Sequence, residues 1–124
     1  MQIQGLQKLT LLDYPGKVAC TLFSGGCNFR CPFCQNASIA CAGERDVLWR
    51  EIAPAELVEL AASLAPEGNI GLAFTYNEPL VGLEFVRDTG RLAHERGLTN
   101  VLVSNGYVND GPLHEVASLI DAAN

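Results

Sequence analysis

Short apolar runs and longer amphipathic stretches follow one another along this chain. Val18 to Phe23 is a compact apolar run closed by Ser24-Gly25-Gly26, which predicts a strand and then a turn. Pro54 to Ala65 has helical spacing. Pro54 suits a first turn, Glu56 and Glu59 favour the N-terminal half, and Leu57, Leu60, Ala61 and Leu64 share one face. Pro66-Glu67-Gly68-Asn69 stops that helix. Ile70 to Thr75 predicts a second strand, broken by Tyr76-Asn77-Glu78-Pro79. Leu83 to Arg96 predicts a second helix, with Leu83, Val86, Gly90 and Ala93 on its apolar side and Gly97 at its C-terminal cap. Asn100 to Val103 predicts a third strand running into Ser104-Asn105-Gly106, and Leu113 to Ala122 a third helix.

The order βαβαβα calls for an α/β fold with a parallel sheet and helices packed against it. Three such units do not close a barrel, and Asp121-Ala122-Ala123-Asn124 falls where a further strand is due. Ligands of parallel sheets bind at the C-terminal ends of the strands. All three predicted strands run there into a polar or cysteine-rich segment, so the three segments are expected to build one site.

Composition narrows the class. At 124 residues the chain holds one domain at most, and with 48% apolar residues it suits a buried core. No apolar run has the length of a membrane span. Met1 to Gly5 lacks the basic flank and apolar core of a secretory signal, so a cytoplasmic location is expected. The net charge of −6, with arginines scattered rather than striped, argues against a nucleic-acid binder.

Five cysteines, an odd number, disfavour a complete disulfide framework. Cys27, Cys31 and Cys34 fall in one short loop with the spacing C-x3-C-x2-C, while Cys20 and Cys41 lie apart. Thiolates are soft ligands suited to iron–sulfur clusters, and such a loop can turn three of them toward one centre. Three protein ligands on a cubane cluster leave one iron open to a substrate. A zinc site, the alternative metal, usually pairs two short cysteine hooks, and a second hook is missing. His94 and His114 stand alone on helical segments. Cys20 reads as a buried small residue, Cys41 as exposed with an auxiliary or redox role open to it, and Trp49 as a packing anchor ahead of the first helix.

The cysteine loop, with aromatic Phe33 just before the last cysteine, resembles the signature of the radical S-adenosylmethionine superfamily. Leu11-Leu12-Asp13-Tyr14-Pro15-Gly16-Lys17 and the segment Gly25 to Asn36 are, more closely, similar to activating enzymes of glycyl-radical proteins. The resemblance implies the N-terminal half of a partial (β/α)6 TIM-like barrel. Residues 1–124 would be the N-terminal portion of that domain, with the cluster loop at 24–36. It implies a 4Fe-4S cluster on Cys27, Cys31 and Cys34, and S-adenosylmethionine on its open iron. One-electron cleavage of the sulfonium then yields a 5′-deoxyadenosyl radical that abstracts hydrogen from a glycine of a partner enzyme, under anaerobic conditions. No side chain is expected to be catalytic beyond cluster and cofactor.

The resemblance also implies further cofactor contacts. Tyr76-Asn77-Glu78-Pro79 stands where the family has Gly-Gly-Glu-Pro, so Asn77, Glu78 and Pro79 would meet the methionine amino group. Read as residues alone, the same segment is a polar turn with Asn77 capping the next helix. Ser104-Asn105-Gly106 resembles the family's Thr-Asn-Gly near the ribose and carboxylate, or is a plain strand-ending turn. Phe33 would sit beside the adenine. Asp13-Tyr14-Pro15-Gly16 would lie close to the cluster loop and partner surface. The implied partners are a glycyl-radical enzyme and a one-electron donor such as flavodoxin or ferredoxin, with no nucleic acid and no membrane. Two other readings stay open: the same radical chemistry on a small molecule or peptide, and a non-catalytic iron–sulfur electron-transfer protein.

Overall fold

The apolar runs form strands where their pattern predicts them, and they set the order of the sheet. A computed structural model describes residues 2–43, 45 and 47–124 of the chain. In chain order its elements are β1 (Gln2–Thr10), β2 (Val18–Ser24), α1 (Ala37–Ala40), β3 (Arg50–Glu51) and α2 (Pro54–Ser63). Then follow β4 (Asn69–Thr75), α3 (Leu83–Glu95), β5 (Thr99–Leu102), α4 (Asp110–Ala117) and β6 (Ala122–Ala123). The sheet runs β3-β1-β2-β4-β5-β6. Strands β2, β4, β5 and β6 are parallel, whereas β1 is antiparallel to both β2 and β3.

The two faces of the parallel strands carry different side chains. Cys20, Leu22, Leu72, Phe74 and Leu102 pack on one face against Leu57, Val58 and Ala61 of α2, Phe85, Val86 and Ala93 of α3, and Val116 of α4. The opposite face is lined by the small residues Ala19 and Ala73 and by Val101, with Tyr14 and Ala122 laid against them. Helices on one side and short side chains on the other are what an arc of a βα barrel requires, because the inner wall has less room than the outer. The fold is therefore α/β with a mostly parallel sheet, a partial TIM-like arrangement.

Three departures from the sequence expectation have physical causes. Strand β1 was not expected, since its apolar residues Ile3, Leu6 and Leu9 recur every third position. All three still reach the core, because register shifts between Ile3 and Gly5 and between Gln7 and Thr10 turn the strand between them. The third helix spans Asp110–Ala117 instead of Leu113–Ala122: Asp110 favours its start and Pro112 is tolerated in its first turn. Ala122–Ala123 pairs with Val101–Leu102 as β6, which takes Ala122 from the expected helix, so the strand due at the end of the rhythm is present. The pieces α1 and β3, of four and two residues, are too short to leave a periodic signal.

Candidate functional site

Strands β2, β4 and β5 end side by side, and the loop after each carries one of the polar segments. The chain leaves β4 through Tyr76, at φ +29°, and a cis peptide to Asn77. Glu78 follows, only 2% exposed, and its carboxylate is surrounded by donors. Oε1 accepts from the Leu80 amide at 3.0 Å and the Ser104 hydroxyl at 2.9 Å. Oε2 accepts from the Asn105 amide at 2.8 Å. The Glu78 amide donates to the Gly26 carbonyl at 3.1 Å. One residue of the middle loop thus bonds to both flanking loops. The cap of the following 3-10 turn, Pro79–Gly82, is Glu78 rather than Asn77.

Asn77 turns the other way. Its amide donates to the Ser24 carbonyl and to Gln4 Oε1, both at 3.1 Å. Gln4 in turn donates to the Ile39 carbonyl at 2.7 Å, tying β1 to α1 just beyond the cysteine loop. Ser24, at the end of β2, donates through its hydroxyl to the Tyr76 carbonyl at 2.7 Å. The Tyr76 ring stacks on Phe23 with centroids 4.6 Å apart. Pro79 is buried beneath Glu78's turn, and Ser104 is half-buried while Asn105 is exposed.

Cys27, Cys31 and Cys34 are free thiols, each half-buried, on the loop that leaves β2. Turns shape the loop: the Cys34 amide donates to the Cys31 carbonyl at 3.1 Å, and the Phe29 amide to Cys27 Sγ at 3.4 Å. Arg30 folds its guanidinium onto the Cys27 and Phe29 carbonyls, both at 3.3 Å, bracing the loop's backbone. Cys31 and Cys34 line a cavity of about 260 Å³ with Phe29, Arg30 and Cys41. Among the described residues no three His, Cys, Asp or Glu side chains are drawn together tightly enough to grip one ion. As a donor set, three unpaired soft thiols on one short loop at the mouth of a parallel sheet fit an iron–sulfur cluster, with Cys41 as a neighbour. Phe33 projects into solvent, 87% exposed.

Sequence reasoning missed the residues that join the loops. Asn28, between the first two cysteines, accepts from Asn105 Nδ2 at 2.7 Å and donates to the Tyr107 carbonyl at 3.3 Å. The Phe29 and Tyr107 rings meet at 5.4 Å. No local signal marks Asn28, since its partners lie 77 and 79 residues away. Trp49, expected to anchor packing, lies on Gly25 at the start of the loop. The turn before β2 folds over the inner face, and Asp13 accepts from the Thr21 hydroxyl at 2.6 Å, midway along the strand. Beside it, Tyr14, Val101, Ala122 and Asn124 border an inner-face cavity of about 640 Å³.

The same architecture is matched by a family model. The model of the radical SAM superfamily aligns with residues 21–124, from the middle of β2 to the end of the chain. The chain belongs to the radical SAM superfamily. That family implies a 4Fe-4S cluster and S-adenosylmethionine, in keeping with the cysteine loop. Over its whole length the chain is 40% identical to an uncharacterized protein of Methanocaldococcus jannaschii, covering 36% of that protein. It is 27% identical, over 84% of its length, to a protein of the same organism provisionally named a glycyl-radical enzyme activating enzyme, covering 40% of it. It is also 27% identical, over 86% of its length, to the pyruvate formate-lyase-activating enzyme of Clostridium pasteurianum, covering 44% of it. The chain thus spans about two-fifths of the length of these relatives. Among the described residues no helix is long and apolar enough to cross a membrane.

Proposed function

We propose that this radical SAM protein activates a glycyl-radical enzyme in the cytoplasm. The observation that carries the reading is the meeting of three loops around Glu78, one of them bearing the three free thiols. Cys27, Cys31 and Cys34 would hold the 4Fe-4S cluster as thiolates. When bound and reduced, the cluster supplies the electron that cleaves S-adenosylmethionine to methionine and a 5′-deoxyadenosyl radical. Ser104 and Asn105 would orient the ribose and carboxylate end of that cofactor. Asn77, Glu78 and Pro79 would shape the place of its amino group, where a buried carboxylate adds favourable charge. Exposed Phe33 would cover the adenine from the rim. The small side chains of the inner face would leave room for a glycine-bearing loop of the partner. A flavodoxin or ferredoxin would deliver the electron.

Anaerobic reconstitution with iron and sulfide, followed by S-adenosylmethionine and dithionite, tests the reading. It requires 5′-deoxyadenosine, lost in Cys27→Ala, Cys31→Ala and Cys34→Ala, and a glycyl-radical signal on an added glycyl-radical enzyme. Deoxyadenosine without that signal would favour a small-molecule or peptide substrate. An iron–sulfur chromophore indifferent to S-adenosylmethionine would leave an electron carrier.

A further inference from the structure

We infer that Glu78 is a positioning residue: its buried carboxylate fixes the 104–107 loop and, through Asn105 and Asn28, the cysteine loop. The inference rests on the reading above for the identity of the site, and it assigns Glu78 work beyond meeting a cofactor amino group.

A carboxylate has about four acceptor sites. Three at Glu78 are already filled by the protein's own donors: the amides of Leu80 and Asn105 and the hydroxyl of Ser104. Only the Leu80 bond is local. The others come from residues 26 and 27 positions away, on the loop after β5. Hydrogen bonds to an ionised acceptor are the strong kind, and a carboxylate 2% exposed depends on them.

Those bonds orient the rest of the loop. Ser104 Oγ, while donating to Glu78, accepts from the Gly106 amide at 3.0 Å. Asn105, held by its backbone amide, uses its side-chain oxygen to accept from the Tyr107 amide at 2.9 Å. Its side-chain nitrogen is then free to donate to Asn28 Oδ1 at 2.7 Å. Asn28 is bonded to Cys27 in the chain, so a displacement of the 104–107 loop reaches the first thiol directly. The Glu78 amide on the Gly26 carbonyl closes the circuit from the other side.

Glutamine cannot replace this hub. It offers one oxygen in place of two and sets an NH2 group against a donor that needs an acceptor, either the Asn105 amide or the Ser104–Leu80 pair.

The test compares wild type, Glu78→Gln, Asn28→Ala and the double variant of the whole protein. Hydrogen exchange at the amides of residues 105–107 should quicken by about tenfold in Glu78→Gln. In reconstituted protein without S-adenosylmethionine, the line shape of the reduced cluster's paramagnetic resonance should change in both single variants. The double variant should be no worse than Glu78→Gln alone, because both changes cut one linkage. Glu78→Gln with wild-type exchange and line shape, impaired only in S-adenosylmethionine binding, overturns the inference and makes Glu78 an ammonium partner alone. Additive effects of the two changes overturn it as well. If Glu78→Gln does not fold, Ser104→Ala takes its place with the same outcomes. Failure of the wild type to cleave S-adenosylmethionine counts against the proposed function and leaves the exchange result standing.

Discussion

The Cζ3–Cη2 edge of the Trp49 indole comes so close to Gly25 that a methyl group added there would sit 2.3 Å from Cζ3 and 2.7 Å from Cη2. The bare backbone of Gly25 is thus what lets a residue 24 positions onward brace the start of the cysteine loop. Gly25→Ala should push the indole out, with the overpacking loss of about 1–3 kcal/mol. Because Trp49 is the single tryptophan, its fluorescence reports the event directly. The variant should show a red-shifted emission and a lowered melting temperature; an unchanged spectrum would mean that the ring is not held there.

Gly71 has a harder constraint. It pairs with Thr99 between β4 and β5, and a Cβ there would lie 1.9 Å from the Thr99 carbonyl oxygen and 2.6 Å from its nitrogen. Backbone cannot swing aside as a side chain can, so Gly71→Ala should part the two strands whose loops form the site. A loss of about 3 kcal/mol in urea denaturation is expected. Gly111→Ala is the control. That residue has open space in α4 and should gain up to about 1 kcal/mol from helix propensity.

Asp121 makes the end of the sheet sensitive to acid. Burial pushes its carboxyl up, but the Asn100 amide at 2.7 Å and His94 at 2.9 Å outweigh that and hold it below its usual value. A lowered folded-state value means stabilisation that is full above the ordinary carboxylate pKa of about 3.9 and fades as pH falls through the folded value. Asp121→Asn should therefore melt earlier than wild type near neutrality, with the gap closing in strong acid. Melting curves across pH decide it; a gap that widens in acid would contradict the pairing. The effect should be modest, since the carboxylate is 43% exposed.

Cys20 and Cys41 should differ sharply toward thiol reagents. Burial pushes the Cys20 thiol up to about 11, only partly offset by Lys8, so at pH near 8 it is a neutral thiol inside the core. Cys41 is exposed beside the cavity of Cys31 and Cys34. Under native conditions iodoacetamide should label Cys41 early and Cys20 only after denaturation, as read by peptide mass spectrometry. Early labelling of Cys20 would place it outside the core.

Much of this molecule was legible without coordinates, because local periodicity records what the backbone does over a few residues. The runs 18–23, 70–75 and 100–103 became β2, β4 and β5 with ends shifted by a residue, and 54–65 and 83–96 became α2 and α3. The cysteine loop and the segments at Glu78 and Ser104-Asn105 followed from residue type and their place after strands. Strand β1 hid behind its bulges, and Ala122 read as the end of a helix because alanine favours one until a strand edge offers hydrogen bonds.

What sequence by itself determined was therefore the rhythm of strands and helices and the chemistry at each strand's end. Only the tertiary structure decided which of those groups touch. Parallel pairing of β2, β4 and β5 brings together loops far apart in the chain, and only there does Glu78 meet Ser104 and Asn28 meet Asn105. A hydrogen bond spanning 77 residues leaves no periodicity to read, since it depends on sheet order and not on neighbours in sequence. The same reason turned Asn77 away from Glu78: its amide found Gln4 on a strand whose own pairing was not visible in the pattern.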